Sequence, residues 1–160
     1  MRTLADRRAI DLSQLSAKEC VLLSKRAESL CVERLTALAA NLAPSDAPLS
    51  RSIAEVAEEE QLHLERIAAL DEQVPWPALL RLDEPGFRLL LATHLPSLHA
   101  GCASLDTDAI QHFIVALEQE SASLYRALSS HAADARLKSF FAQTAADEER
   151  HRDRFGASDN

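Results

Sequence analysis

The stretch IAEVAEEEQLHLERI, residues 53–67, decides the fold class of this chain. Its apolar residues Ile53, Val56 and Ile67 recur at helical intervals, which predicts an amphipathic helix with one face in a core. Two polar residues, Glu60 and His63, fall on the same apolar stripe. Because residues three apart lie on one face of a helix, this Glu-x-x-His string points a carboxylate and an imidazole at the same place in the core.

The pattern returns near the end of the chain, where Glu148-Glu-Arg-His151 interrupts a second apolar stripe. Two further stripes, in other helical segments, each contain a single inward glutamate, Glu28 or Glu118. Each glutamate precedes its Glu-x-x-His string by about thirty residues, and the two sets are offset by close to ninety residues. The spacing predicts four core stripes that place their polar residues at a similar height.

The periodic segments predict an all-α fold, an antiparallel four-helix bundle of the ferritin-like arrangement, formed by a single domain over residues 1–160. The capping boxes that begin at Ser16 and Ser52 indicate where the first two helices start. A proline-rich crossover, with a short helix near Gly86 to Leu95, is expected between the second and third helices. The predicted helices cover about 16–41, 50–72, 107–130 and 134–155, and the crossover covers 73–106.

Composition excludes several classes of function. A net charge of −8 argues against nucleic acid or an anionic membrane surface as a partner, since both attract basic patches. The chain has no apolar run of membrane-spanning length and no signal-peptide pattern. Its 3 cysteines are far apart and form no C-x-x-C pair, so the sequence supports neither a disulfide framework nor a rubredoxin-type iron site. We therefore expect a cytoplasmic protein.

The buried polar residues predict a dinuclear metal centre. Burying one unpaired carboxylate costs several kcal/mol, and several like charges together cost more. No lysine or arginine lies on the four stripes, whereas two divalent ions balance four carboxylates. Oxygen and imidazole donors suit iron or manganese and also accept zinc. The expected ligands are Glu28, Glu60, His63, Glu118, Glu148 and His151.

Neighbouring residues have more than one interpretation. Tyr125 lies one heptad beyond Glu118, where it is a candidate catalytic residue that donates an electron, a hydrogen-bond donor to a ligand, or a core tyrosine. Cys31 faces the same region, but a soft thiol suits a site of hard ligands poorly, so we interpret it as a packing residue. Asp147 or Glu59 could orient a ligand histidine from outside the ligand set, although solvent exposure is the alternative for both.

With these residues in place, the chain resembles the ferritin-like superfamily, and within it the rubrerythrin and erythrin domains. The resemblance rests on Glu28, on the string that ends Glu60-Gln-Leu-His63, on Glu118 followed by Tyr125, and on Glu148-Glu-Arg-His151. It implies two iron ions held by the six ligands, with Glu60 and Glu148 as the bridging pair. It also implies a peroxidase or ferroxidase that reacts with peroxide or dioxygen, and a homodimer.

The chain departs from the rubrerythrin pattern in three places. The sequence lacks the C-x-x-C pairs of a rubredoxin domain, so we expect a separate protein to supply electrons. Rubrerythrins usually carry an extra glutamate one turn from the ligand that corresponds to Glu118. Here the flanking residues are Val115 and Ser121, so that glutamate is absent. Leu35 replaces the tyrosine usual on helix 1. The second departure weakens the expectation of a rubrerythrin-type peroxidase cycle.

Two other functions fit the same ligand set. A substrate-oxidising di-iron oxygenase needs an apolar pocket beside the metals, for which the small residues Ser24, Cys31, Ser121 and Thr144 could leave space. A non-catalytic bundle would use its metals only for stability. Oxygen uptake stimulated by an organic substrate would identify the first, and stable, unreactive zinc or manganese would identify the second.

Overall fold

A computed structural model describes residues 11–102, 104 and 106–156. All regular secondary structure in these residues is helical, which confirms the predicted all-α class. A short 3-10 helix, Leu12–Gln14, comes first. The α-helices are α1 (Ala17–Leu42), α2 (Ala47–Gln73), α3 (Glu84–His94), α4 (Pro96–Ala100), α5 (Thr107–His131) and α6 (Ala135–Gly156).

The first two long helices, α1 and α2, form an antiparallel hairpin. At one end Ser50 Oγ donates a hydrogen bond to the Ala39 carbonyl at 2.7 Å. At the other end the buried Lys18 ammonium lies 2.5 Å from Asp71 Oδ1. The capping box predicted at Ser16 is present, because Ser16 and Glu19 each accept a hydrogen bond from the other's backbone amide.

The start of α2 differs from the prediction. The helix begins at Ala47, because the Asp46 side chain accepts a hydrogen bond from the Leu49 amide at 3.0 Å and Pro48 occupies the first turn. Ser52, predicted to cap the helix, lies one turn inside it, and its hydroxyl donates to the Pro48 carbonyl at 3.3 Å. The helix is therefore capped by Asp46 and not by Ser52.

The last two long helices, α5 and α6, form a second antiparallel hairpin. Asp106 caps α5, and Asp134 accepts hydrogen bonds from the amides at the start of α6. Ser129 Oγ donates to the Lys138 carbonyl across the short connection at 2.9 Å. At the level of the buried glutamates, Arg152 reaches Gln119 Oε1 at 2.8 Å. The two hairpins therefore use the same design, a pair of long helices joined by a tight turn.

The connection between the hairpins runs back along the molecule. It leaves α2 beside Lys18, whose ammonium donates to the Val74 carbonyl at 3.3 Å. It ends where Thr107 Oγ1 lies 3.5 Å from Asp46 Oδ2, at the start of α2. The short helix predicted near Gly86 to Leu95 is present as α3. A further short helix that was not predicted, α4, follows it, because the backbone changes direction at Leu95 before Pro96.

Buried apolar residues from the long helices and from the crossover form one core cluster. Five of its members are fully buried: Leu35, Ile53, Ile110, Leu128 and Phe141. None of the described helices combines the length and apolar character needed to cross a lipid bilayer. The polar side chains inside this core are therefore the feature that requires an explanation.

Candidate metal centre

The structure brings all six predicted ligands together between the two hairpins. Glu28 lies on α1, the first Glu-x-x-His string on α2, Glu118 on α5 and the second string on α6. Their side-chain ligand atoms form two groups, within each of which all atoms lie no more than 4.8 Å apart. Position 1 consists of Glu28, Glu60, His63 and Glu148, and position 2 consists of Glu60, Glu118, Glu148 and His151.

Two carboxylates, Glu60 and Glu148, belong to both positions. Each position also has one histidine and one further glutamate of its own. A carboxylate has two oxygens that can each contact a different ion, so a shared pair is suited to bridge two neighbouring ions. All six residues are deeply buried, with between 1% and 4% of their surface exposed. The donor set can therefore hold two metal ions away from bulk water.

His63 presents one ring nitrogen to the cluster and the other to an outer carboxylate. Its Nδ1 lies 3.0 Å from Glu60 Oε2 and 3.3 Å from Glu148 Oε1. Its Nε2 lies 3.2 Å from Asp147 Oδ2 on the opposite hairpin. A carboxylate there holds the proton on Nε2, so that a metal would displace the proton on Nδ1 and bind that nitrogen.

His151 is arranged in the same way. Its Nδ1 lies 2.9 Å from Glu60 Oε1 and 3.5 Å from Glu118 Oε2. Its Nε2 lies 2.8 Å from Glu59 Oε2, again on the opposite hairpin. The two imidazole rings stack with their centroids 6.0 Å apart. Both histidines thus point the same nitrogen, Nδ1, at the place where the metals would lie.

Tyr125, the predicted catalytic candidate, is buried beside position 1. Its hydroxyl donates a hydrogen bond to Glu28 Oε1, and its ring stacks on Phe141 at 6.0 Å between centroids. This contact agrees with the interpretation of Tyr125 as a donor to a ligand. Cys31 is buried, and burial together with the nearby carboxylates raises the pKa of its thiol well above the ordinary value. Cys31 therefore stays a neutral thiol, as expected for a packing residue.

Three of the four carboxyl groups in the cluster resist ionisation when no metal is bound. Burial, followed by repulsion from Glu60 and Glu148, raises the pKa of Glu28 well above its usual range. Burial and repulsion from Glu60 raise the pKa of Glu148 well above the usual range too. Burial also raises the pKa of Glu118. The protein alone favours protons on these groups.

The fourth carboxylate and the two histidines form the charged part of the cluster. Burial disfavours the charge on Glu60, but the adjacent His151 and His63 outweigh it and lower its pKa to about 2. Burial likewise opposes the imidazolium of His63, yet Glu148 and Glu60 raise its pKa to about 10. For His151, Glu118 and Glu60 overcome burial and raise the pKa to about 11. Cations stabilise this cluster, whether they are protons or metal ions.

Unpartnered atoms test whether a metal fits. Within the described ranges, several buried atoms of the cluster lack a hydrogen bond: Glu28 Oε2, Glu60 Oε1, Glu118 Oε2, Glu148 Oε1 and His151 Nδ1. His151 Nδ1 and Glu60 Oε1 are close to each other but lack hydrogen-bond geometry. Buried polar atoms are nearly always satisfied, and these atoms converge on one another. Two bound cations would satisfy all of them, so the residues fit a dinuclear metal.

Some of the supporting residues were not predicted. Asp147 is fixed by Arg150 Nη1 at 2.5 Å and by Gln143 Nε2 at 2.9 Å, and Arg154 Nη2 pairs with Glu59 Oε1 at 2.9 Å. The helical spacing of Gln143 and Arg150 around Asp147 was a usable signal. The pairing of Arg154 with Glu59 joins two hairpins, and no local spacing could have indicated it.

Comparison with known proteins identifies no family for this chain, since no family model, curated protein or solved structure matches it. The assignment of function therefore depends on the geometry of the cluster.

Proposed function

We propose that this chain is a ferritin-like four-helix bundle that holds two iron ions and reacts with peroxide or dioxygen. The observation that carries the proposal is the pair of ligand groups that share Glu60 and Glu148. Proteins of the di-iron carboxylate class use one glutamate from each of two helices and a Glu-x-x-His motif from each of the other two. The four long helices of this chain supply that set.

The chemistry of the donors supports iron. Four carboxylates and two imidazoles are hard or intermediate ligands, and they suit iron or manganese better than a thiol-rich set would. Manganese and zinc remain competitors for the same ligands. Two ferrous ions bound there would supply one electron each for the reduction of peroxide or dioxygen.

The protein side chains have their own tasks in this proposal. Tyr125 restrains Glu28 through its hydroxyl, so that Glu28 offers the metal its other oxygen, Oε2. The buried Glu60 and Glu148, which belong to both positions, would each contact both ions, and together with Glu28 and Glu118 they would balance the charge of two divalent ions. The apolar residues of the core, including Phe141 beside Tyr125, exclude bulk water and larger reductants. Electrons to restore the ferrous state come from a separate protein.

An organic substrate receives less support. The small residues named for a substrate pocket are buried, and the hydroxyls of Ser24 and Thr144 donate to the carbonyls of Cys20 and Phe140 within their own helices. A groove between α1 and α2 is lined by other residues, including Val32, Thr36, Ala39, Ala54 and Gln61. No contact of the described residues favours the oxygenase alternative over peroxide or dioxygen chemistry.

Metal analysis followed by rapid mixing tests the proposal. Metal-free protein is titrated anaerobically with ferrous ion, and we expect two ions per chain. The loaded protein is then mixed with peroxide or with dioxygen while absorbance is recorded, and we expect oxidation much faster than that of ferrous ion in buffer. Binding of two ions in Glu28→Ala or Glu148→Ala would contradict the site. Two bound ions that resist both oxidants would instead indicate a metal used only for stability.

A further inference from the structure

The outer carboxylates of the two histidines are anchored unequally. Asp147, the partner of His63, is 8% exposed at its side chain, and both Arg150 and Gln143 bond its Oδ1. Glu59, the partner of His151, is 36% exposed at its side chain, and it has Arg154 as its second partner. The Glu59 contact is the shorter, 2.8 Å against 3.2 Å, but its longer side chain reaches solvent. Asp147 is the more fully immobilised of the two.

The two glutamates that belong to a single position, Glu28 and Glu118, are also restrained unequally, again more firmly at position 1. Glu28 of position 1 receives the Tyr125 hydroxyl. Among the residues that the structure describes, Glu118 of position 2 has no comparable hydroxyl, and its contact with a basic group is His151 at 3.5 Å. The residue seven places after Glu28, which corresponds to Tyr125 in the internal repeat, is the apolar Leu35. Position 1 is therefore built from more restrained ligands than position 2.

We propose that Asp147 and Glu59 are positioning residues for the ligand histidines, and that their unequal anchoring makes the two metal positions inequivalent, with position 1 binding its ion more tightly. The inference rests on the proposed dinuclear centre and adds an order of filling to it. Position 1 fills first and empties last. Position 2 is the exchangeable position, next to the solvent-exposed Glu59.

Preorganisation is the physical reason. An imidazole binds metal through Nδ1 only if its proton is on Nε2 and its ring is turned correctly, and a fixed acceptor enforces both conditions. At position 1 this order exists before the ion arrives, because Asp147 and Glu28 are already restrained by protein donors. At position 2 the partly exposed Glu59, and Glu118 at 3.5 Å from its basic partner His151, are held less firmly, so binding must restrain them further, which opposes association. Loss of an outer partner of this kind typically weakens metal affinity about 10- to 100-fold.

The test is a titration of metal-free protein with cobalt(II) alone, followed by visible absorbance and by competition with a chelator. For the unmodified protein we expect two steps with different dissociation constants. Asp147→Ala should weaken the tighter step about 10- to 100-fold, and Glu59→Ala should weaken the other step by a similar factor. Asp147→Asn keeps a hydrogen-bond acceptor and should recover part of the loss. Glu149→Ala is the matched control, since Glu149 pairs with Arg126 at the surface and should leave both steps unchanged.

A second readout reports ring orientation directly. Nitrogen NMR of the zinc(II)-loaded protein should show Nδ1 bound to metal and Nε2 protonated in both histidines, and each alanine variant should disturb only the ring that it touches. Equal effects of the two variants on both steps, or two steps of equal affinity, would overturn the inequivalence while leaving the dinuclear centre intact. Failure of the unmodified protein to bind two ions would overturn the proposed function itself.

Discussion

Replacing Glu148 by glutamine should separate two effects of this residue. Glu148 belongs to both metal positions, but its buried carboxyl group destabilises the metal-free core. Glu148 is 2% exposed, and burial raises the pKa of its carboxyl group well above the usual range. A folded-state carboxyl with a raised pKa lowers stability increasingly as pH rises above its unfolded value. Glutamine has nearly the same shape and no charge. The metal-free Glu148→Gln variant should therefore unfold at the same temperature as the parent at pH 5 and at a higher one at pH 8.

The effect on the metal-loaded protein has the opposite sign. A ligand present at 100 times its dissociation constant stabilises the folded state by about 2.7 kcal/mol, so two ions, each at 100 times the dissociation constant of its own binding step, contribute about 5 kcal/mol. In a chain of 160 residues, each kcal/mol shifts the melting temperature by about 2–4 °C, so metal should raise it by about 10–20 °C. Because Glu148 serves both positions, its loss should remove most of that rise.

Thermal unfolding followed by circular dichroism, with and without a 100-fold excess of metal over the dissociation constant, measures both effects on the same samples. Glu149→Gln is the control for a change of one charge on the same turn, because Glu149 is 38% exposed and pairs with Arg126. A metal-induced rise above 10 °C in Glu148→Gln would refute the shared-ligand assignment. If the metal-free variant were several kcal/mol less stable than the parent, the buried Glu148 carboxyl could not be destabilising the metal-free protein.

Three further predictions concern the same core. Tyr125→Phe leaves Glu28 Oε1 without its donor, so metal affinity at position 1 should fall by roughly 10- to 100-fold, as a loss of about 1.5–3 kcal/mol implies; unchanged cobalt(II) binding would contradict this role. Lys18→Met should lower the free energy of unfolding, measured in urea, by roughly 2–3 kcal/mol, because Asp71 loses its buried cationic partner and keeps the more exposed Lys25. A loss below about 0.5 kcal/mol would contradict a stabilising role of the Lys18–Asp71 pair. The metal-free protein should lose stability as the pH rises from about 6 to about 10. The buried carboxyls and histidines have raised pKa values, so the folded state holds more protons than the unfolded state in this range. Urea titrations with a chelator present measure this loss, and a free energy of unfolding that stays constant or rises with pH would contradict the shifts.

The clustering of the six candidate ligands was predictable from the sequence because it depends on local geometry. Helical periodicity alone places Glu60 and His63 on one face, and the apolar neighbours Val56 and Ile67 show that this face is buried. The same reasoning applies to Glu28 and Glu118, whose stripes are equally apolar. No knowledge of how the helices cross was needed to infer that these side chains enter the core.

The outer contacts were less predictable because they depend on how the hairpins are rotated against each other. Glu59 and Asp147 lie one residue before a ligand, so on their own helices they point about 100° away from the stripe. Only the packing of α2 against α6 brings each of them to the histidine of the other helix. The predicted start of α2 was wrong for a different reason. Asp46 and Ser52 are both valid capping residues, and the sequence pattern does not say which of them begins the helix.

The division of the candidate ligands between the two hairpins has a consequence for assembly. Position 1 takes three ligands from the α1–α2 hairpin and one from the other, and position 2 takes one from the first hairpin and three from the second. Neither half of the chain contains a complete set. If the protein were cut within the crossover and its halves produced as two polypeptides, metal should strengthen their association beyond what the shared apolar core provides, and a chelator should weaken it. Metal would then control how tightly the two halves of the chain associate.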